Sequence, residues 1–276
     1  MPCLGGNQAL VSGVYGGTLG AGGATGAEGS AFGQNPAVLR PGRMGVQLHF
    51  HRPYGLEALD VAEAGGFRDG TRWGVSAGWR QTGVDGLYAE DGFQVTQTLR
   101  LGRPGGGFPG VLDLGAAWNA WRQEWPGGNA RTDWDHGLGL SWGMLPRLKA
   151  GAFVLGLPLD PGGKGGSDRI LQWGLEADSR DRETGADAGP CQILRLDFRK
   201  TGETPWRTLA ALSLSPWQGM EFTGGFAGPP FQASLGMRLS WSGWELDQAL
   251  RYHRYLGRTW LSGLAYSRAT SPIGRN

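Results

Sequence analysis

The sequence has no apolar run long enough for a membrane-spanning helix. Its longest nearly uncharged apolar stretch, Ala150 to Leu159, holds ten residues, and a spanning helix needs about twenty. Mean hydropathy is low, at −0.31, which excludes a helical membrane bundle. It does not exclude a barrel, whose strands need only about ten residues with every second one apolar. Lysine is scarce, 3 of 26 basic residues, and the net charge is only +2 with both signs scattered. No Lys/Arg run marks nucleic-acid contact. The two cysteines, Cys3 and Cys191, are too few for a disulfide scaffold and lack zinc-ligand spacing. One bridge in an oxidising periplasm and two free thiols both remain open. No charged and then apolar leader stands at the amino terminus, so for an exported chain the expectation is a mature form or a rebuilt start.

Glycine and tryptophan are abundant. Of 276 residues 52 are Gly and 13 are Trp, against about 7% Gly in average proteins. No Gly-X-Y period appears, so collagen is excluded. The residues between the glycines are Trp, Leu, Val, Phe and Arg, too apolar and aromatic for a disordered tract.

From Met44 to about Arg268, large apolar residues alternate with small or polar ones. Trp73, Val75, Ala77 and Trp79 alternate with Arg72, Gly74, Ser76, Gly78 and Arg80; Leu235, Met237 and Leu239 oppose Ser234, Gly236, Arg238 and Ser240. Sustained period two predicts half-buried strands. They are expected near 44–51, 59–68, 71–81, 92–102, 110–121, 133–144, 147–157, 169–179, 191–200, 205–215, 219–226, 230–241, 244–254 and 258–268. About fourteen, an even number, suits a single-chain bacterial barrel. Residues 1–43 lack this alternation and are small and nearly uncharged. The expected organisation is a plug over 1–43, a transmembrane antiparallel β-barrel over 44–268 and a tail over 269–276. Connections are read as tight at Leu145-Pro146 and Ser242-Gly243. Longer polar loops are expected at 124–133 and 158–168, and an eleven-residue link at 180–190.

The second face of the strands carries many glycines, among them Gly74, Gly115, Gly137, Gly139, Gly143, Gly174 and Gly236. Glycine weakens a strand unless something approaches closely, and a plugged lumen supplies that something. Trp and Tyr near strand ends, including Trp73, Trp79, Trp118, Trp142, Trp241, Trp244, Tyr252 and Trp260, fit an interfacial aromatic girdle. Lipid of the bacterial outer membrane is then the first partner. A soluble glycine-rich β module of structural or adhesin type is the alternative. The lumenal polar lining is expected to include Arg72, Arg80, Arg100, Asp113, Arg195, Asp197, Arg238, Glu245, Asp247 and Arg251, with Arg207, Glu176, Asp178 and Glu221 of the same parity. A mixed lining argues against a wide, open, ion-selective pore.

Residues 19–39, LGAGGATGAEGSAFGQNPAVL, carry Gly22-Gly23-Ala24, Gly29-Ser30-Ala31 and Asn35-Pro36-Ala37 followed by Leu39. This segment resembles the amino-terminal hatch of the FadL-type outer-membrane barrel superfamily, in particular its PorV/PorQ branch. The resemblance implies a fourteen-stranded barrel with the Asn-Pro-Ala motif at the end of the plug. Asn-Pro also suits an ordinary tight turn. The expected loops are shorter and more polar than those of the fatty-acid-transporting branch. The resemblance therefore implies a PorV/PorQ-like partner of other outer-membrane or secreted proteins, serving secretion or surface assembly. The alternative is FadL-like passive transport of a hydrophobic small molecule.

Catalytic constellations are not found. His136 and Ser141 have opposite parity on one strand and cannot meet. His49 and His51 share a face and read as wall residues rather than metal ligands, and Glu245 and Asp247 lie near Arg251. No Gly-rich loop opens a helix. A non-enzyme without metal or cofactor is expected.

Overall fold

In a computed structural model, residues 35–38, 43–70, 72–84, 87–101, 110–145, 147–158, 169–179 and 191–269 are described. The fourteen strands are β1 (Arg43–Arg52), β2 (Val61–Asp69), β3 (Trp73–Val84), β4 (Tyr88–Arg100), β5 (Val111–Trp125), β6 (Asn129–Leu145) and β7 (Leu148–Pro158), followed by β8 (Ile170–Asp178), β9 (Cys191–Thr201), β10 (Arg207–Trp217), β11 (Met220–Gly228), β12 (Gln232–Trp241), β13 (Trp244–His253) and β14 (Gly257–Ala269). Each pairs antiparallel with its chain neighbours, and β1 pairs with β14, closing the barrel. Closure leaves no strand edge, so every strand is paired on both sides; this is what permits irregular sequence to cross lipid on strands at all.

Each expected segment is a strand, and the largest end displacements are four residues, as at Tyr88 and Asn129. The expected loop 124–133 is instead mostly strand: β5 and β6 continue to Trp125 and Asn129 around a turn at 126–128. Polar Arg122, Glu124, Arg131 and Asp133 pair there as salt bridges Arg122–Glu124 and Arg131–Asp133. Alternation fades because this hairpin end is exposed and has no apolar face to meet; Gly127 and Gly128, with φ of +92° and +77°, make the reversal. The Ser242-Gly243 turn is tight as expected, with positive φ at both residues, +46° and +87°, matching the turn type that suits strand twist. The links 159–168 and 180–190, Cys3, and the tail from 270 lie outside the described residues; Ala269 belongs to β14.

The polarity of the barrel is inverted relative to a water-soluble domain. Outward side chains are large, apolar and exposed: Leu235 at 71%, Val46 at 61% and Trp134 at 61%. Inward side chains are polar and buried, including Arg195, Asp197, Glu176, His51 and Asn119. Exposed leucine and tryptophan on every second residue around a closed wall need a hydrocarbon solvent. Trp73, Trp241 and Trp244 stand at strand ends on one rim and Tyr252 and Trp260 near the other, whereas Trp79 and Trp118 are mid-strand because β3 and β5 run further than expected. The chain crosses the bilayer as a barrel.

Register shifts interrupt the wall between β6 and β7, near His136 and near Gly143, and between β10 and β11 near Leu214. Between β6 and β7 the register shifts from His136↔Leu157 to Leu138↔Val154, around Gly156 with φ +74°. The bulge turns Leu155 over Gly137, where an added Cβ would strike its Cδ2. Leu155 joins Ala117, Phe153 and Ile170 in a buried apolar patch on the inner wall.

Candidate functional site

The interior offers three features: a docked turn, a set of paired charges, and a set of charges without a salt-bridge partner among the described residues. The turn is Asn35-Pro36-Ala37-Val38, in which Val38 N–H donates to the Asn35 carbonyl at 3.1 Å. Pro36 fixes φ at the second position, and the Asn35 side-chain carbonyl accepts the Ala37 N–H at 2.9 Å. The local sequence thus builds the turn unaided. The wall then holds it: Asn35 Nδ2 donates to the Leu140 carbonyl of β6 at 2.7 Å, and Thr98 Oγ1 of β4 donates to the Pro36 carbonyl at 2.7 Å. Asn35 and Ala37 are buried. The close approach depends on two glycines. A Cβ on Gly115 of β5 would strike the Pro36 and Ala37 backbone, and one on Gly139 of β6 would strike the Asn35 side chain and the Pro36 ring. The remainder of residues 1–42 lies outside the described residues, including Leu39 and the Gly22 to Ala31 part of the motif.

Not every inner glycine has this purpose. Gly137 makes room for Leu155, Gly174 for Asp197, Gly92 for the Trp121 ring and Gly263 for the His49 ring. Among the described residues, the nearest atom to a Cβ on Gly143 is the Val111 carbonyl oxygen at 3.8 Å. Much of the glycine on this face therefore accommodates side chains of the adjacent strand.

Nine of the ten side chains expected in the polar lining share the inner parity of their strands; Arg72 does not line the wall, because β3 begins at Trp73 and Arg72 lies exposed in the preceding bend. Toward the rim that carries Arg43 and Ala269, these charges are matched. Arg100 donates to Asp113 at 2.8 Å and lies 3.8 Å from Asp69. Buried Arg195 donates to Glu176 at 3.1 Å and to Ser213 at 2.6 Å. Arg238 sits 2.9 Å from Asp247, 3.7 Å from Glu245 and 3.9 Å from Glu221. Asp197 accepts from Gln172 at 2.5 Å. These networks span neighbouring strands and give each of these guanidiniums a carboxylate, with carboxylates in excess around Arg100 and Arg238.

Toward the opposite rim, matching fails on one side. Arg80, Glu63 and Glu90 act on one another across β2 to β4, with the Arg80 guanidinium 5.7 Å over the Trp121 ring. The His51 and Glu63 side chains approach to 3.8 Å, yet neither ring nitrogen of His49 or His51 makes a hydrogen bond. Across the barrel, Arg199, Arg207 and Arg251 have no carboxylate within salt-bridge distance among the described residues. Sequence reasoning missed Arg199, Glu63 and Glu90, although Arg199 has the parity of Arg195 and Asp197 and was legible on that signal. His136 and Ser141 stand on opposite faces of β6, and no group of three potential metal ligands occurs among the described residues.

With this geometry in hand, comparison with known proteins is informative about fold. CymD, a monoaromatic hydrocarbon channel, superposes with a TM-score of 0.61 at 10% identity over 94% of this chain and 97% of its own. Omp33, an outer membrane protein of Acinetobacter baumannii, gives 0.55 at 7% identity over 81% and 97%. A TodX channel mutant gives 0.52 at 10% identity over 95% and 98%. The chain is an outer-membrane β-barrel. No family model and no curated protein matches its sequence. At these identities the likeness fixes the architecture of outer-membrane channels, whereas membership of the FadL or PorV/PorQ branch is a narrower statement resting on the resemblance of residues 19–39.

Proposed function

We propose that this barrel is a passive channel for small solutes, with residues 1–42 as a plug anchored at the Asn35 turn. The observation that carries this reading is the docking of that turn on the inner wall at Thr98, Gly115 and Gly139. A polar-lined barrel that docks a turn from ahead of its first strand on its inner wall has an interior to obstruct. The likeness to outer-membrane channels supports transport, and nothing in the comparisons favours the secretion-partner role implied by the PorV/PorQ resemblance. Polar and charged side chains dominate the inner wall, which favours a polar solute. A hydrophobic solute is the second reading, favoured by the Ala117, Phe153, Leu155 and Ile170 patch beside the docked turn and by the hydrocarbon channels of similar fold.

Reconstitution in planar bilayers tests the proposal. Discrete conductance steps are expected, larger or longer-lived after deletion of residues 1–42. Absence of any current or liposome swelling in both forms would overturn it. Uptake of toluene without ion current would select the hydrophobic reading.

A further inference from the structure

The inner wall of β9, β10 and β13 carries three arginines with no carboxylate within salt-bridge distance among the described residues, although Asp197 acts favourably on Arg199 from further off. Arg199 and Arg207 are direct cross-strand partners. Like charges placed opposite one another destabilise a sheet, so this pair costs stability as it stands. Arg251 adds to the repulsion: its charge acts on Arg199, and that of Arg207 acts on both. The Arg207 Nε and the Arg251 Nε and Nη2 are buried without a hydrogen-bond partner. Elsewhere on the inner wall, Arg100, Arg195 and Arg238 each hold at least one carboxylate. Arg80, whose Nε is also buried without a partner, is still flanked by Glu63 and Glu90, whereas around Arg199, Arg207 and Arg251 the positive charges gather.

The surroundings are shaped around this cluster. Between Arg207 and Arg251 the inner face of β11 and β12 presents small groups, Gly225 opposite Ser234 and Ala227 opposite Gln232. Leu209, Ala211 and Ala227 form a buried apolar floor beside Arg207. Above, Tyr54 is held with φ +57°, uncommon for a residue with a side chain. Its N–H donates to Thr259 Oγ1 at 3.2 Å, and its ring packs edge-on to His253 at 6.3 Å. Tyr54 also lies close enough to act on Arg207 and Arg251. Glu63 and Glu90, on β2 and β4, act on Arg80.

We infer that Arg199, Arg207 and Arg251 form an anion-binding site at the mouth of the barrel, which takes the carboxylate or phosphate group of a small oxyanion. Guanidinium donors match planar carboxylate and phosphate oxygens in two-pronged geometry. An oxyanion among them supplies the missing acceptors and removes the cross-strand repulsion. The inference rests on the channel reading, which it deepens by naming the charge of the solute, but binding is measurable without transport.

Titration calorimetry on the detergent-solubilised full chain, with inorganic phosphate in one arm and citrate in the other, tests the site directly. The wild type is expected to bind at least one of the two. Combined Arg199→Gln, Arg207→Gln and Arg251→Gln should weaken binding by about tenfold or more, a change of about 1.4 kcal/mol. The exterior change Lys200→Gln should have no effect. Phosphate binding alone would assign phosphate-bearing solutes, and citrate binding alone would assign carboxylates. Since removing like charges relieves repulsion, Arg207→Gln should fold and resist heat at least as well as the wild type. In bilayers, a salt gradient should show preference for chloride over potassium, abolished by the triple variant. No binding of either anion by the wild type overturns the inference even if the barrel conducts. Binding without conductance sustains the site and overturns the channel.

Discussion

Gly139→Ala is the most discriminating single substitution. The new Cβ would point at the Asn35 side-chain oxygen and the Pro36 ring, and β6 cannot retreat because it is paired on both sides with β5 and β7. Two outcomes compete. Either the turn stays and the contact is strained, at about 1–3 kcal/mol, or the turn leaves the wall. Leaving forfeits the bonds from Asn35 to the Leu140 carbonyl and from Thr98 to the Pro36 carbonyl, each worth about 1 kcal/mol. The cheaper route wins, so the cost should be about 2 kcal/mol and the turn should undock. Gly143→Ala, on the same strand and the same face, meets only ordinary contact distances and should be near neutral. Urea unfolding followed by heat-modifiable migration on gels measures the stabilities, and proteolysis of the amino-terminal segment reads undocking. Deleting residues 1–42 should abolish the difference between the two variants. Equal costs at Gly139 and Gly143, or a Gly139 cost that survives the deletion, would refute the docking.

Further tests address the rest of the wall. Leu235→Arg places a charge on the most exposed outward leucine and should cost about 2–4 kcal/mol if that residue meets mid-membrane lipid; urea titration in liposomes would show it, and a negligible cost would mean that face does not meet acyl chains. Glu176→Leu removes the carboxylate from buried Arg195 and should destabilise by about 3–5 kcal/mol, with much of the loss recovered on adding Arg195→Met. Gly243→Val forces a branched side chain into φ +87° and toward the Ser267 carbonyl. It should cost about 1–3 kcal/mol, visible as a lower unfolding midpoint, whereas Gly224→Ala, facing Leu235 at 3.8 Å, should not.

All fourteen strands were legible because a half-buried strand writes its two faces into the sequence as period two. Inner and outer parity follow from the same signal, and Arg195, Asp197 and Arg238 share the inner parity and are buried. Pairing was not legible. That Arg207 faces Arg199 rather than a carboxylate depends on the β9–β10 register, which is set by the length of the connecting turn and which alternation does not encode. The polar ends of β5 and β6 read as loop because strand outside the apolar layer has no reason to alternate. Inner glycines were recognised as places of close approach, but the sequence could not separate Gly115 and Gly139, which meet the turn, from Gly137 and Gly174, which meet neighbouring side chains. Asn35-Pro36 predicted a turn on local chemistry; its docking site on β4 to β6 required the fold.

The β1–β14 seam bears on how such a molecule comes into being. Thirteen of the fourteen strand pairings join consecutive hairpin arms, while Arg43 meets Ala269 from the far end of the barrel sequence. Hairpins form locally and fast, but the seam must bring distant segments together and is expected to be the slow, final event. Until then β1 and β13 or β14 expose unpaired backbone that hydrocarbon cannot satisfy. The Asn35 turn needs only β4, β5 and β6 for its seat, so it can settle while the cylinder is still an open, curled sheet. A nascent barrel of this design is thus loaded before it is sealed, and a copy truncated ahead of β14 has no stable way to sit in the membrane.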